Sequence, residues 1–222
     1  MSDLVVVDPG LLTTVQDLGR PGYQRLGLPP SGPLDRTAFV AANRLVGNAD
    51  GAAGLEMTLR GPRLEARRGC VVAVTGADMG FAVNGQEAPA WMAVRLRPGD
   101  VVSFRMVTGG CRAYLGVAGG IDVPPALGSR ATYLRGRLGG LGGRALQKGD
   151  ALPAGAPAAG ADRLEGRTVP PAHRPTYATE VECRVILGPQ EDRFTAEGIA
   201  AFLGEPYEVT PQADRMGYRL KG

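Results

Sequence analysis

From Gly54 to Gly120 the chain is a succession of short apolar runs, each closed by a turn signal: GLEMTL, PRLEA, CVVAVTG, FAVNG, WMAVRL, DVVSFRM and RAYLGVAGG. Runs this short, rich in Val and broken every few residues, read as strands and not as helices. The breaks are specific. Asn84-Gly85 suits the two left-handed positions of a tight hairpin. Arg97-Pro98-Gly99-Asp100 and Gln147-Lys148-Gly149-Asp150 share a Gly-Asp ending, and ALPAG follows the second. The 34 Gly and 18 Pro among 222 residues, with no collagen-like period, favour many strands joined by tight turns. The expected fold class is mainly β with a few short helices, its strands in a closed or rolled antiparallel barrel.

Two stretches carry helical spacing instead. LDRTAFVAANRLVGN places Phe39, Ala42, Leu45 and Val46 on one face, with Ser31 as a suitable N-cap, Pro33 in the first turn and Gly47-Asn48 as the stop. FTAEGIAAFLGEP has Thr195 as N-cap and turns Ile199, Phe202 and Leu203 inward. Ala154 to Pro175, rich in Ala, Pro and Gly, reads as a linker. The expected organisation is a first β-barrel unit over residues 1–153, a linker over 154–175 and the start of a second unit over 176–222. VECRVILG, PYEVT and GYRL are the strands expected in that second unit.

Charge and cysteine usage exclude several function classes. Net charge is +3, from 25 basic and 22 acidic residues that are well mixed, which is no nucleic-acid footprint. Cys70, Cys111 and Cys183 show no CxxC spacing and read as buried reduced thiols, with no metal expected. MSDLVVVDPG lacks a basic n-region, and no run approaches the ~18 apolar residues of a membrane span, so a cytoplasmic protein without membrane contact is expected. The single His173 lies in the connector VPPAHRPTY, which leaves triad, Cys-His and His-zinc chemistry little to use.

Polar, directed side chains concentrate in TTVQDLGRPGYQRLGLPPSGPLDR, Thr13 to Arg36. Gln16, Asp17, Arg20, Ser31, Asp35 and Arg36 all lie there. AGGID brings Gly119 and Gly120, GSRATYLRGRLGGLGGR brings Ser129 and Arg135, and the second unit adds Gln212, Asp214 and Arg215. Guanidinium groups fork onto carboxylate or phosphate oxygens, glycines let backbone amides approach an anion, and carboxylates beside them take or deliver protons. The set suits a small anionic substrate handled without histidine. It equally suits Arg–Asp pairs that only lock a loop. No GxxxxGK[ST] phosphate loop is present.

The stretches GLLTTVQDLGRPGYQRLGLPPSGPLDRTAFVAANRLVGN, LEMTLRGPRL, VTGADMG, RAYLGVAGGIDVPPALGSRATYLRG and VTPQADRMGYRL resemble the allophanate hydrolase subunit 2 type of biotin-dependent carboxyltransferase domain. Within it the chain is most similar to the C subunits of bacterial ATP-dependent 5-oxoprolinases, the kinase-inhibitor antagonist family. The resemblance implies tandem cyclophilin-like β-barrels. It also implies a homologous B subunit and an A subunit as partners, and ATP as cosubstrate in the cleavage of 5-oxoproline to glutamate. Two alternatives come with it. One is the carboxyltransferase part of a biotin-dependent urea or amide carboxylase. The other is a non-enzymatic regulator that antagonises a sensor-kinase inhibitor. Members of the family continue past the GYRL motif, so the second barrel is expected to be incomplete here. On this reading Asp17, Asp35 and Asp214 are the candidates for proton transfer, and Gln16, Arg20, Ser31, Arg36, Gly119, Gly120, Ser129, Arg135, Gln212 and Arg215 the candidates for substrate binding.

Overall fold

The computed structural model describes the chain except residues 1–3, Thr179, Val181, Cys183 and residues 213–216. It divides into two compact units, Met1–Thr179 and Glu180–Gly222.

The described residues of the first unit hold eleven strands in chain order: β1 (Leu4–Asp8), β2 (Leu12–Gln16), β3 (Gly54–Thr58), β4 (Arg63–Ala66), β5 (Cys70–Asp78), β6 (Ala82–Val83), β7 (Gln86–Glu87), β8 (Ala93–Leu96), β9 (Val101–Ser103), β10 (Gly109–Val117) and β11 (Ala151–Leu152). Helix α1 (Arg36–Leu45) lies between β2 and β3. All strand pairings are antiparallel, as the short apolar runs require. The strands form a six-stranded sheet, β11-β1-β4-β9-β6-β7, and a five-stranded sheet, β2-β3-β10-β5-β8. The mainly β reading holds. Of the two forms expected, closed or rolled, the strands take the open one: two sheets that share one core. Closure fails because β6, β7 and β11 are two-residue strands that end the six-stranded sheet without reaching its partner.

Period-2 alternation explains the packing. In β5, Val72 and Val74 face the core between the sheets, with Leu4, Val6, Leu64, Met57 and Leu115. Val71 and Ala73, the intervening residues, face Leu45, Val46 and Ala161. The central strands are thus covered on both faces, which is why CVVAVTG reads as a continuous apolar run. Each large side chain fully buried this way contributes about 1.5–3 kcal/mol.

Helix α1 starts further along the chain than its sequence suggests. Its N-cap is Asp35, whose Oδ1 accepts from the Ala38 N–H at 2.9 Å, and not Ser31. Ser31 sits in the left-handed region, φ 58°, where it cannot start a helix. The apolar face is as expected: Phe39 packs edge-on against Tyr114 of β10, ring centres 5.8 Å apart. The Asn84-Gly85 hairpin joins β6 and β7 with both residues at positive φ, 52° and 77°.

Residues 154–175 are not a free excursion. Ala161 is buried, Leu164 and Val169 pack against the two smaller clusters, and Thr168 bridges to Met92. Gly119, at φ 90°, lets residue 155 cross it closely: a Cβ there would stand 2.1 Å from the Gly155 carbonyl oxygen.

In the second unit, α2 (Ala196–Gly204) is capped by Thr195 as expected, its Oγ1 accepting from Gly198 N–H at 3.1 Å. Strands β12 (Glu208–Val209) and β13 (Leu220–Lys221) pair. Two expectations change. The described residues of VECRVILG form no strand, and Ile186 is 97% exposed. Phe202 and Leu203 are each 54% exposed, because a two-residue ladder offers α2 too little surface to bury them. Among the described residues no helix is long and apolar enough to cross a membrane.

Candidate functional site

Gln16, the last residue of β2, is fully buried and spends every polar atom inside the fold. Its Nε2 donates to Thr14 Oγ1 at 3.0 Å and to the Thr132 carbonyl at 3.3 Å, and its Oε1 accepts from the Gly32 N–H at 3.1 Å. One side chain so ties β2 to both halves of the polar region. A buried amide demands such partners, since each lost bond costs about 1–3 kcal/mol.

Arg20 is only 1% exposed. Its backbone N–H closes the loop on the Pro30 carbonyl at 2.7 Å. Its guanidinium donates to Ser31 Oγ at 3.2 Å, to the Ala126 carbonyl at 3.5 Å and to the Ala131 carbonyl. Burial lowers its pKa, while the charge of Asp17 works in the opposite direction. Gly139 makes room for this fork: at φ 69°, a Cβ there would lie 2.6 Å from Nη2.

Asp17 is the counter-charge and the clamp. Oδ1 accepts from Gly19 N–H at 2.8 Å and from Ser129 Oγ at 2.6 Å, and Oδ2 accepts from the Arg130 N–H at 2.5 Å. Ser129 in turn accepts from the Ala131 N–H at 3.0 Å. Arg130 turns its own side chain to the Val123 carbonyl at 2.7 Å and Asp122 at 2.8 Å. Gln16, Asp17, Arg20, Ser31 and Ser129 therefore form a single network that holds the 17–32 loop against the 122–140 segment.

Asp35 belongs to a second network. Beyond capping α1, it accepts from Tyr177 Oη at 2.6 Å through Oδ2, and its backbone N–H donates to Tyr114 Oη at 2.7 Å. The Tyr114 hydroxyl donates onward to Glu56 Oε2 at 3.0 Å. Glu56 is 2% exposed, stands directly opposite Tyr114 in the β3–β10 ladder, and also accepts from the Leu34 N–H at 2.9 Å. Arg112 lies 4.0 Å from its other oxygen. Burial and the nearby carboxylates push both tyrosine hydroxyls well above their ordinary range. Glu56, Tyr114 and Tyr177 are missed by motif reading. The available signal is the Glu inside GLEMT: an acid in a buried strand must have partners.

Arg36 stands apart from both networks, on the outer face of α1. It lines a groove of 640 Å³ with Val40, Arg44, Asp50, Arg167 and His173. The other residues expected at the site lie elsewhere. Gly119 and Gly120 pack against 155 and 52–53, with Gly119 N–H donating to Asn48 at 2.8 Å. Arg135 is exposed on the 134–137 turn, and Gln212 is exposed in a turn of the second unit. Asp214 and Arg215 lie outside the described residues. Of the three thiols, Cys111 is exposed near the start of β10 and Cys70 is half-buried, contrary to the expectation of burial; Cys183 lies outside the described residues. Among the described residues no group of three or more His, Cys, Asp or Glu side chains could hold a metal ion. The loop's carboxylates are committed to N–H and O–H donors, so the arrangement fixes the shape of this surface, while Arg36 on α1 is exposed.

Residues 26–222 match the family model for the carboxyltransferase domain, subdomain A and B. Among curated relatives, the chain is 40% identical over 96% of its length to a urea amidolyase of Saccharomyces cerevisiae, of which it spans 12%. It is 37% identical over 99% of its length to the C subunit of the Escherichia coli 5-oxoprolinase, of which it spans 68%. The crystal structure of the Kluyveromyces lactis urea carboxylase superposes with a TM-score of 0.88 at 37% identity, covering all of this chain and 21% of that one. With such relatives sharing fold and sequence along nearly the whole chain, it belongs to the carboxyltransferase domain A and B family.

Proposed function

We propose that the chain acts as a C-type subunit of an ATP-dependent 5-oxoprolinase, working with a homologous B subunit and an A subunit. The observation that carries this reading is the match to a 5-oxoprolinase C subunit along 99% of the chain and 68% of that relative. In the reaction the lactam oxygen of 5-oxoproline takes the γ-phosphoryl group of ATP. Water adds to the activated carbon, the C–N bond breaks, the nitrogen takes a proton, and glutamate, ADP and phosphate leave. The geometry supports a positioning part for this chain. Asp17, Arg20 and Ser129 hold the 17–32 loop and the 122–140 segment in one shape. Such preorganisation orients a small anion without a histidine of its own.

A second reading rests on the 40% identity to the urea amidolyase, and assigns the domain to carboxyl transfer from biotin. One experiment separates the two. The chain is co-expressed with its encoded neighbours and assayed with 5-oxoproline and ATP, then with urea, bicarbonate, ATP and a biotinylated carrier. ADP and glutamate released in equal amounts from 5-oxoproline is the expected result. Urea-dependent ADP release with no glutamate would refute the proposal and favour the second reading.

A further inference from the structure

The groove beside α1 has an unusual pair of walls. One wall is the helix, presenting Arg36, Val40 and Arg44 at i, i+4 and i+8, a stripe about 12 Å long. The other is the extended segment Arg167–Val169. That segment pairs with Trp91–Ala93: Val169 N–H donates to the Trp91 carbonyl at 3.0 Å, and Ala93 N–H to the Arg167 carbonyl at 2.8 Å. In an antiparallel pair the residue between those two bonds turns its own N–H and C=O the other way. That residue is Thr168. It bridges to Met92, it is exposed, it lines the groove, and its backbone N–H and C=O have no partner among the described residues. An open strand edge beside a helix is a ready template for a further strand.

The charges are also uneven. Arg44 is spent on Asp50, with two bonds of 2.7 and 2.8 Å. Arg167 gives one N–H to the Arg44 carbonyl at 2.8 Å and keeps the rest of its fork. Arg36 donates to no acceptor among the described residues, and its field reaches Asp50. Three guanidinium groups thus line the groove against the single carboxylate of Asp50, which bonds Arg44 and neither Arg36 nor Arg167, above an apolar floor of Val40, Ala41 and Val169. The edge itself is rigid: Arg174 donates to the Val169 carbonyl at 2.8 Å and Thr168 Oγ1 to the Trp91 carbonyl at 3.0 Å.

We propose that this groove receives an extended acidic segment of the homologous partner subunit, which pairs with the open backbone edge at Thr168 and sets a carboxylate between Arg36 and Arg167. The 12 Å stripe matches about four residues of extended chain at ~3.3 Å each, longer than a small carboxylate or phosphate. None of the lining residues is a Phe, Tyr or Trp that would stack a nucleobase. Pro170, next along the edge, has no N–H and limits the pairing to a short stretch.

The inference rests on the chain having a partner subunit, as the proposed function holds. The test uses the chain and its co-expressed homologous subunit. Dissociation constants are measured for the unaltered chain, for Arg36→Glu with Arg167→Glu, and for Lys148→Glu, an exposed cation away from the groove. Glu at position 36 suits a helix start, so the fold is kept. Amide exchange at Thr168 is followed with and without the partner. The expected result is at least 10-fold weaker binding for the double variant, no change for Lys148→Glu, and Thr168 exchange slowed at least 10-fold in the complex. A complex of full affinity in the double variant, with Thr168 exchange unchanged, would overturn the groove proposal and leave the subunit reading standing. Absence of any complex would overturn both. Binding of inorganic phosphate or 5-oxoproline by the chain alone, lost in the double variant while Thr168 exchange stays unchanged in the complex, would reassign the groove to a small anion and overturn the proposal.

Discussion

Replacing Asp17 by Asn tests whether the clamp is held by charge or merely by shape. Asn is isosteric but carries one acceptor where Asp carries two. If its oxygen takes the Oδ1 place, it still accepts from Gly19 N–H and Ser129 Oγ, and its NH2 then confronts the Arg130 N–H, donor against donor. If the amide flips, Arg130 is satisfied and the Gly19 N–H is confronted instead. Ser129 can rotate its hydroxyl, whereas the backbone cannot, so each orientation loses one charge-assisted bond and orphans one N–H. A hydrogen bond to a charged group is worth roughly 1.5–3 kcal/mol, and an orphaned buried donor costs roughly 1–3. Arg20, 1% exposed, also loses its counter-charge. With partial burial discounting each part, the expected loss is about 2–4 kcal/mol. The assay is urea unfolding followed by the fluorescence of the only tryptophan, Trp91, which is buried in the first unit. Ser129→Ala alone should cost about 1–2 kcal/mol, and the double variant less than the sum, because both remove the same bond. A stability within about 0.5 kcal/mol of the unaltered chain, the ordinary range of a surface change, would show that water or a rearranged loop replaces the clamp, and would refute the reasoning.

Tyr114→Phe keeps the ring packed on Phe39 and removes the hydroxyl between Glu56 and the Asp35 N–H, so a loss of about 2–3 kcal/mol is expected by the same unfolding assay. A neutral result would mean that Glu56 and Asp35 find other partners. Acid should destabilise the first unit. Bonds from Arg44 to Asp50, from the Arg97 N–H and Asn84 to Asp100, and from Arg144 to Asp150 hold these carboxylates below their ordinary range. A depressed folded-state pKa gives stability that is present above the unfolded value of about 4 and lost as pH falls through the folded one. The melting temperature should be flat from about pH 7 to 5 and drop below about 4, less steeply in Asp150→Asn; a rise on acidification would contradict this.

The strands were legible because their period and their turn residues agree, as at Asn84-Gly85. The start of α1 was not: Ser31 reads as the cap, whereas the fold puts Asp35 in that place. What decides between them is Arg20, which draws on Ser31 from eleven residues away. The density of polar groups in the first loop was legible, but not their use. Asp17 and Ser129 look like surface chemistry until the fold brings residue 129 across 112 positions of chain. Glu56 was overlooked because a single acid in an apolar run looks like solvent-facing alternation, and only the register opposite Tyr114 shows that it is enclosed. The packing of 154–175 was illegible for a related reason: Ala161, Leu164 and Val169 have no periodicity, so their burial is set by the surface they cover.

The long span of the clamp also fixes an order in time. Arg20 bonds the Ala131 carbonyl across 111 positions, and Thr132 bonds the Val15 carbonyl across 117. A ribosome adding roughly 5–20 residues per second reaches that far only about 5–20 seconds after residue 20 has been joined. During that interval the guanidinium of Arg20 and the carboxylate of Asp17 remain in water, and β2 lacks its partners at residue 132. The region must therefore assemble late, against the entropy of closing a loop of more than a hundred residues. Only contacts of still longer span, such as the pairing of Leu4 with Leu152 and the bond from Tyr177 to Asp35, wait longer for their chain.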